Sequence, residues 1–223
     1  MRKEIIEKVE KFLWENLQKS LNYKDNTHRS VAYRFEHSWR VANIGRFIAK
    51  EEGFDEERLV VACLLHDIGY SLEMINEDDY KNHGRNGAKI ARPFLLELGY
   101  SKEEVEEMCY GIAIHVDNNA DFTFQKTPFA LSILDADNID RFDAYRLYEN
   151  LHLADYLNLT LEKQLEYVQK RISGLERLRS LNFATKTAQR LWIEKIDFQL
   201  EFMKKLEKQI YNSSITSIFN NDI

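Results

Sequence analysis

Histidines and a few aspartates are the residues of this 223-residue chain whose types and spacing could do chemistry. His37 lies in Arg34-Phe35-Glu36-His37-Ser38, His66 and Asp67 are adjacent, and Asp135 and Asp137 follow a mainly apolar run. Aspartate is almost never fully buried unless it is paired or ligates a metal. Two imidazoles and two carboxylates converging from three helices would bind one divalent cation through nitrogen and oxygen. That donor set suits Mn, Fe, Ni, Co or Zn, and it leaves coordination positions open for water and substrate. Asp135 and Asp137 are both candidates for the last carboxylate. His28 and His152 have no partner in any motif and read as structural or surface residues.

The elements that must position these groups are helical almost end to end. Only 8 Gly and 2 Pro occur in the chain, against about 12% in average usage, which argues against a hairpin-rich β architecture. Ile5, Val9, Phe12 (with Leu13) and Leu17 mark one buried helical stripe. A second helix is predicted from about Phe35 to Glu52, closed by Gly53, with Asp55 capping the next. That third helix, Glu56 to about His66, is apolar nearly all round, so it is buried and whatever ends it points inward. Ile68-Gly69 should break it, and Tyr70 to Asn82 reads as an irregular polar loop. Helix resumes near His83 and runs to Leu98, with a kink or early break expected at Pro93. Gly99 then caps, Ser101-Lys102-Glu103-Glu104 is a capping box opening a helix to about His115, and Asp117 to Lys126 is a loop. Thr127-Pro128 starts another helix. Leu161, Leu165, Val168, Ile172, Leu175 and Leu178, then Met203, Leu206 and Ile210, predict two long antiparallel helices.

Composition bounds the setting. Lys plus Arg is 31 and Asp plus Glu is 37, a net charge of −6, which speaks against a non-specific nucleic-acid binder. The excess of basic residues at 162–209 reads as a solvated helix face that could border an entrance for an anionic substrate. Cys63 and Cys109 sit inside apolar helical patterns as buried free thiols. The first thirteen residues carry Glu4, Glu7 and Glu10 and do not read as a signal peptide. No apolar run approaches the roughly 18 residues needed to span a bilayer. The expectation is a cytoplasmic protein with no membrane and no nucleic-acid polymer as partner.

The ordered set His37, His66-Asp67 and a distant Asp137 resembles the metal-dependent HD-domain superfamily of phosphohydrolases, whose motif is H…HD…D. The likeness covers roughly Arg34 to Tyr145. Leu64-Leu65-His66-Asp67-Ile68-Gly69 and Asp135-Ala136-Asp137 are typical strings. His83-Gly84-Arg85-Asn86-Gly87-Ala88 is similar to the H-G-x-x-G-A segment of small bacterial HD hydrolases. Arg34-Phe35-Glu36-His37-Ser38 is similar to the first-histidine motif of the deoxynucleotide triphosphohydrolases. The resemblance implies an all-α HD-domain bundle with the two long C-terminal helices packed on it. It would form a single domain over 1–223, with a motif core at about 30–150, a helical extension at about 155–211 and a frayed tail at 212–223.

The resemblance also implies a site. His37, His66, Asp67 and Asp137 would hold a divalent ion (Mn, Fe, Ni, Co, Zn or Mg), with Asp137 preferred because the family's last ligand is the acid of an Ala-Asp pair. Such an ion acidifies a water and polarises a phosphoryl oxygen. Asp67 would orient that water, His83 would protonate the leaving oxygen or hold a phosphate, and Arg34 would grip phosphate as a fork. Asn138 stands where relatives commonly have Lys or Arg, so Arg141, one turn later, is the candidate replacement. Tyr70 stands where some HD nucleotidases have an acid. The implied activity is hydrolysis of a phosphate ester or anhydride in a small phosphorylated molecule, with a nucleotide the leading class. His83 and His115 occupy the slots of a second metal's ligands, so a dinuclear HD oxygenase or phosphodiesterase is the alternative. A non-catalytic HD binding module is the third. Seven of the eight glycines fall between Gly45 and Gly111, and Gly69, Gly84 and Gly87 flank the ligands where the chain must turn tightly or approach a phosphate.

Overall fold

A computed structural model describes residues 1–20, 22 and 30–213. The expectation for His28, and all but Asn212 and Ser213 of the expected frayed tail, lie outside the described residues. Among the described residues there are nine α-helices and no strand, as the scarcity of turn formers required. The chain divides into two compact units, Met1–Asp140 with Ala184–Ala188, and Arg141–Phe183 with Gln189–Ile223.

The first unit holds α1 (Lys3–Gln18), α2 (Val31–Glu52), α3 (Glu56–Leu65), α4 (Glu77–Glu97), α5 (Lys102–Ile114) and α6 (Pro128–Asp140). In α1, Ile5, Val9, Leu13 and Leu17 are buried, and Phe12 stacks on Phe94 with ring centroids 3.8 Å apart. Helix α2 begins four residues before the expected Phe35, because the Ser30 hydroxyl accepts the backbone N–H of Tyr33. Gly53 closes it in the left-handed conformation at φ 74°, and the Asp55 side chain caps α3 by accepting from Arg58 N–H. Eight of the ten α3 residues are buried.

The largest departure from the sequence reading lies after α3. A short 3-10 turn covers Ile68–Ser71, and α4 starts at Glu77, six residues before His83. The expected loop hides a capping box: Asn76 accepts from the N–H groups of Asp78 and Asp79, and Asp79 accepts from Asn76 N–H. Three acids in the first turn suit the positive end of the helix dipole. Nor does α4 break at Pro93. The proline lies on the exposed face near the helix end, where water can take the carbonyl its ring leaves unbonded. Gly99, at φ 89°, ends α4 in a Schellman pattern, with Tyr100 N–H bonding Leu95 O at 3.4 Å.

The capping box at Ser101 and Glu104 opens α5 as expected. The following loop is pinned by Phe122 and Phe124 against Tyr110, Ile114 and Ala130, and by Arg85 on Asp117. Thr127 caps α6, accepting from Ala130 N–H at 3.1 Å.

The second unit holds α7 (Ala144–Leu153), a 3-10 turn (Tyr156–Asn158), α8 (Leu161–Leu178) and most of α9 (Lys186–Tyr211). Helices α8 and α9 run antiparallel, joined by Arg179 with Asp197, Lys204 with Glu176 and Gln169 with Tyr211. Trp192, Ile196, Met203 and Ile210 of α9 and Val168 and Leu175 of α8 are buried. No described helix is long and apolar enough to cross a membrane.

Candidate metal centre

Five segments of the first unit deliver ionisable side chains to one buried point. Helix α2 carries Arg34 and His37 inward, one turn apart, both buried. Helix α3, apolar all round beyond its charged first turn, runs through the interior, so His66 at its C-cap and the adjoining Asp67 are buried at 0% and 3% exposure. Helix α4 brings His83, α5 ends on His115, and α6 supplies Asp137 and Asp140.

Three glycines permit this convergence. A Cβ on Gly69 would overlap the His83 carbonyl oxygen, and one on Gly84 would lie 2.7 Å from Ala113 O and 2.9 Å from Ile112 O. A Cβ on Gly87 would lie 3.3 Å from Gly69 N and from His66 O. The sequence reading placed these glycines beside the ligands. What these glycines permit is close packing of chain on chain.

Each histidine ring is fixed by its Nδ1. His66 Nδ1 bonds the Cys63 carbonyl and His115 Nδ1 the Ile112 carbonyl, both at 2.7 Å, and His83 Nδ1 bonds the Tyr80 carbonyl. His37 Nδ1 bonds Asp140 Oδ2 at 2.7 Å. A carbonyl or an ionised carboxylate can only accept, so Nδ1 carries the proton on all four rings and Nε2 faces the centre.

There the two oxygens of Asp67 divide the histidines. Oδ2 lies 3.5 Å from His37 Nε2 and 3.4 Å from His66 Nε2. Oδ1 lies 3.1 Å from His83 Nε2 and 3.5 Å from His115 Nε2. Asp137 Oδ1 completes the first group, 3.2 Å from His37 Nε2 and 3.8 Å from His66 Nε2. Asp135, the other candidate, turns away and accepts the Ala184 N–H at 2.8 Å.

The electrostatics follow from burial against pairing. Burial lowers His37, but hydrogen bonds to Asp137 and Asp140 outweigh it and hold its pKa up at about 9. His66, without such bonds, is pushed by burial down to about 4. Burial opposes ionisation of Asp67, yet Arg34 and the histidines keep it well below the usual carboxylate range. Asp137 is held low by His37 against the same burial penalty. Asp135 has only the Ala184 N–H to oppose burial and rises to about 7.

These residues fit a divalent cation. His66 Nε2 is buried with no hydrogen-bond partner. His83 Nε2 and His115 Nε2 face each other at 3.1 Å, an arrangement of two lone pairs that needs a proton or a metal between them. Ligand atoms within 4.8 Å of one another form the groups His37–His66–Asp67, His66–His115–Asp137 and Asp67–His83–His115. Nitrogen and carboxylate donors of this kind suit the borderline divalent ions.

Arg34 is paired with Asp67, and its guanidinium carbon lies 3.8 Å over the Tyr70 ring. Tyr70 in turn sits 4.5 Å, centroid to centroid, from His83. Arg141 begins the second unit.

Two residues escaped the sequence reading. Asp140 supports His37, and Arg40 donates from Nε to Asp140 Oδ1 at 2.8 Å. The signal was a pair of matched spacings, His37-x-x-Arg40 on α2 and Asp137-x-x-Asp140 on α6, each placing two side chains on one helix face.

The HD domain family model matches residues 34–145, half of the chain. An uncharacterized protein of Clostridium beijerinckii is 32% identical over 91 residues, 40% of this chain and 56% of that protein. Ribonuclease Y of Borreliella burgdorferi is 43% identical over 56 residues, 25% of this chain and 11% of that enzyme. The chain thus spans little more than half of the first relative and a tenth of the second. Among solved structures, a predicted HD superfamily hydrolase from an uncultured Thermotogales bacterium superposes with a TM-score of 0.57 at 19% identity, over 89% of this chain and 91% of that one. Bacillus subtilis YpgQ, in complex with ADP, superposes with a TM-score of 0.53 at 18% identity, over 92% and 97%. At these identities the likeness is one of fold.

Proposed function

This chain belongs to the HD-domain family of metal-dependent hydrolases, and we propose that it cleaves a phosphate ester or anhydride bond in a small phosphorylated molecule, a nucleotide being the first class to test. The observation that carries this reading is the division of Asp67, one oxygen toward His37 and His66, the other toward His83 and His115. A carboxylate so shared is suited to hold a pair of divalent ions, which would supply Lewis acidity toward a phosphoryl oxygen and an acidified water.

The chain's own groups define the rest. In this reading His37, His66, Asp67 and Asp137 would be the ligands on one side, and Asp67, His83 and His115 those on the other, His83 then serving the metal in place of the proton transfer expected of it. Arg34, already at the edge of the centre beside Asp67 and Tyr70, is the guanidinium placed to take a phosphate. The ADP held by the B. subtilis protein of the same fold supports a phosphorylated substrate. The buried thiols Cys63 and Cys109 suit a reducing, cytoplasmic setting.

The test is elemental analysis of the protein as purified, followed by a panel of nucleotides, phosphomonoesters and phosphodiesters. Metal-dependent release of phosphate, pyrophosphate or an alcohol, abolished by chelation, is the expected result. A metal-loaded protein that turns over nothing on the panel overturns it. The His83–His115 pair also favours a second reading, a dinuclear oxygenase. Iron as the native metal together with dioxygen uptake would select that reading.

A further inference from the structure

Three of the four histidines at the centre lean on a main-chain carbonyl, and His37 alone leans on a carboxylate. We propose that Asp140 is the positioning residue of the centre, fixing the tautomer and orientation of His37 and strengthening it as a metal ligand. The proposal rests on the metal-centre reading above.

Helices α2 and α6 pack with two matched pairs of side chains between them. His37 presents Nε2 to Asp137 at 3.2 Å and Nδ1 to Asp140 at 2.7 Å, so consecutive turns of α6 hold opposite edges of one imidazole. Asp140 is itself buried, at 4% exposure. Its second oxygen takes the Nε proton of Arg40, a turn beyond His37 on α2, at 2.8 Å. The Arg40 contact fixes the carboxylate, and the carboxylate fixes the ring. A negative partner on Nδ1–H raises the electron density at Nε2 more than a neutral carbonyl does, and such supporting carboxylates alter metal affinity by about 10–100-fold. Asp140 touches neither the ligand point nor Asp67, so its effect passes through His37.

The experiment measures zinc affinity by competition with a chromogenic chelator at fixed pH, for the wild type, Asp140→Asn and Asp140→Ala. The amide oxygen of Asn can still accept from Nδ1–H without the charge. The expected order is therefore wild type tightest, Asn weaker by about tenfold and Ala weaker by up to about 100-fold. The structural control is the unfolding midpoint of each protein in chelator: loss of the buried carboxylate from His37 and Arg40 lowers it, and the loss of zinc affinity must exceed what that shift accounts for. In the zinc-loaded wild type, the His37 Nδ1 proton should give a hydrogen-bonded signal in the NMR spectrum that Asp140→Ala lacks. Equal affinities across the series overturn the role of Asp140 while leaving the centre standing. A fall in affinity matched by a fall in the metal-free midpoint of Asp140→Asn reassigns the residue to fold stability and overturns it too. A wild type that binds no zinc, manganese or iron overturns the centre itself.

Discussion

Oδ1 of Asp67 lies 3.1 Å from Nε2 of His83, on the side of the carboxylate opposite His37 and His66. The two halves of the centre therefore share Asp67, and His66, His115 and Asp137 also lie within 4.8 Å of one another across them. His83→Ala and His115→Ala should each lower the metal content from about two ions per chain to about one. The ion on the His37 side should remain. Asp67→Ala should empty both halves. Elemental analysis of the three variants checks this, and a wild type with one ion, unchanged by His115→Ala, would reduce the centre to a single site.

Backbone crossing is the next constraint open to test. Gly69→Ala and Gly84→Ala drive a Cβ into main-chain atoms of the neighbouring segment, which no rotamer change can relieve. Each should cost about 1–3 kcal/mol of stability and weaken metal binding, because His83 and His115 ride on the segments that must move. Gly174, inside α8, has nothing within 4 Å of an added Cβ. Gly174→Ala should stabilise by about 0.5–1 kcal/mol. Denaturant unfolding of the three variants should give opposite signs.

Much of this centre was legible before the fold was known, for a specific reason. A helix apolar nearly all round must be buried, so His66 and Asp67 at the end of α3 had to be interior, and the remaining candidates, His37 and Asp137, came from the resemblance to the family motif. The start of α4 was hidden because Glu77, Asp78 and Asp79 look like loop composition, although they are first-turn acids behind an Asn76 cap. The packed face of α4 is equally quiet: Gly84, Gly87, Ala88 and Ala91 are buried, yet their small side chains make no apolar stripe. The sole sequence signal of Asp140 and Arg40 was their spacing from Asp137 and His37, which says nothing until α2 lies against α6. Their partners are about a hundred positions away in sequence, and three-residue spacings acquire meaning only across that interface.

Asp135 offers a pH signature. Burial raises its folded-state pKa to about 7 from an ordinary 3.8, so the folded state holds its proton more tightly than the unfolded chain. Its contribution is fully present below about pH 3.8 and is lost as pH rises through about 7. Asp135→Asn keeps an oxygen for the Ala184 N–H and cannot ionise. The variant should match the wild type in acid and exceed it by roughly 4 kcal/mol above neutrality. Urea midpoints measured from pH 4 to pH 8 decide it; parallel profiles for the two proteins would show that Asp135 does not titrate with folding.

Glu57, between Arg2 and Tyr100, should show the opposite sign. Its carboxylate accepts from Arg2 Nε and from the Tyr100 hydroxyl, each at 3.0 Å. The Arg2 hydrogen bond outweighs desolvation and lowers its pKa from 4.5 to about 2. A lowered folded-state pKa means stability that is present above about pH 4.5 and disappears as pH falls through about 2. Arg2 is half exposed, at 52% of its side chain, so solvent screening keeps the ion pair's share small. Glu57→Gln should lose about 1–2 kcal/mol at neutral pH, mostly from the weakened hydrogen bonds that tie the start of α1 to α3. In urea titrations at successive pH values, the two proteins should converge between pH 4.5 and 2, and raising the salt concentration should recover only the minor, screened part of the difference. A gap that persists unchanged at pH 2 would mean that Glu57 acts through packing and not through its charge.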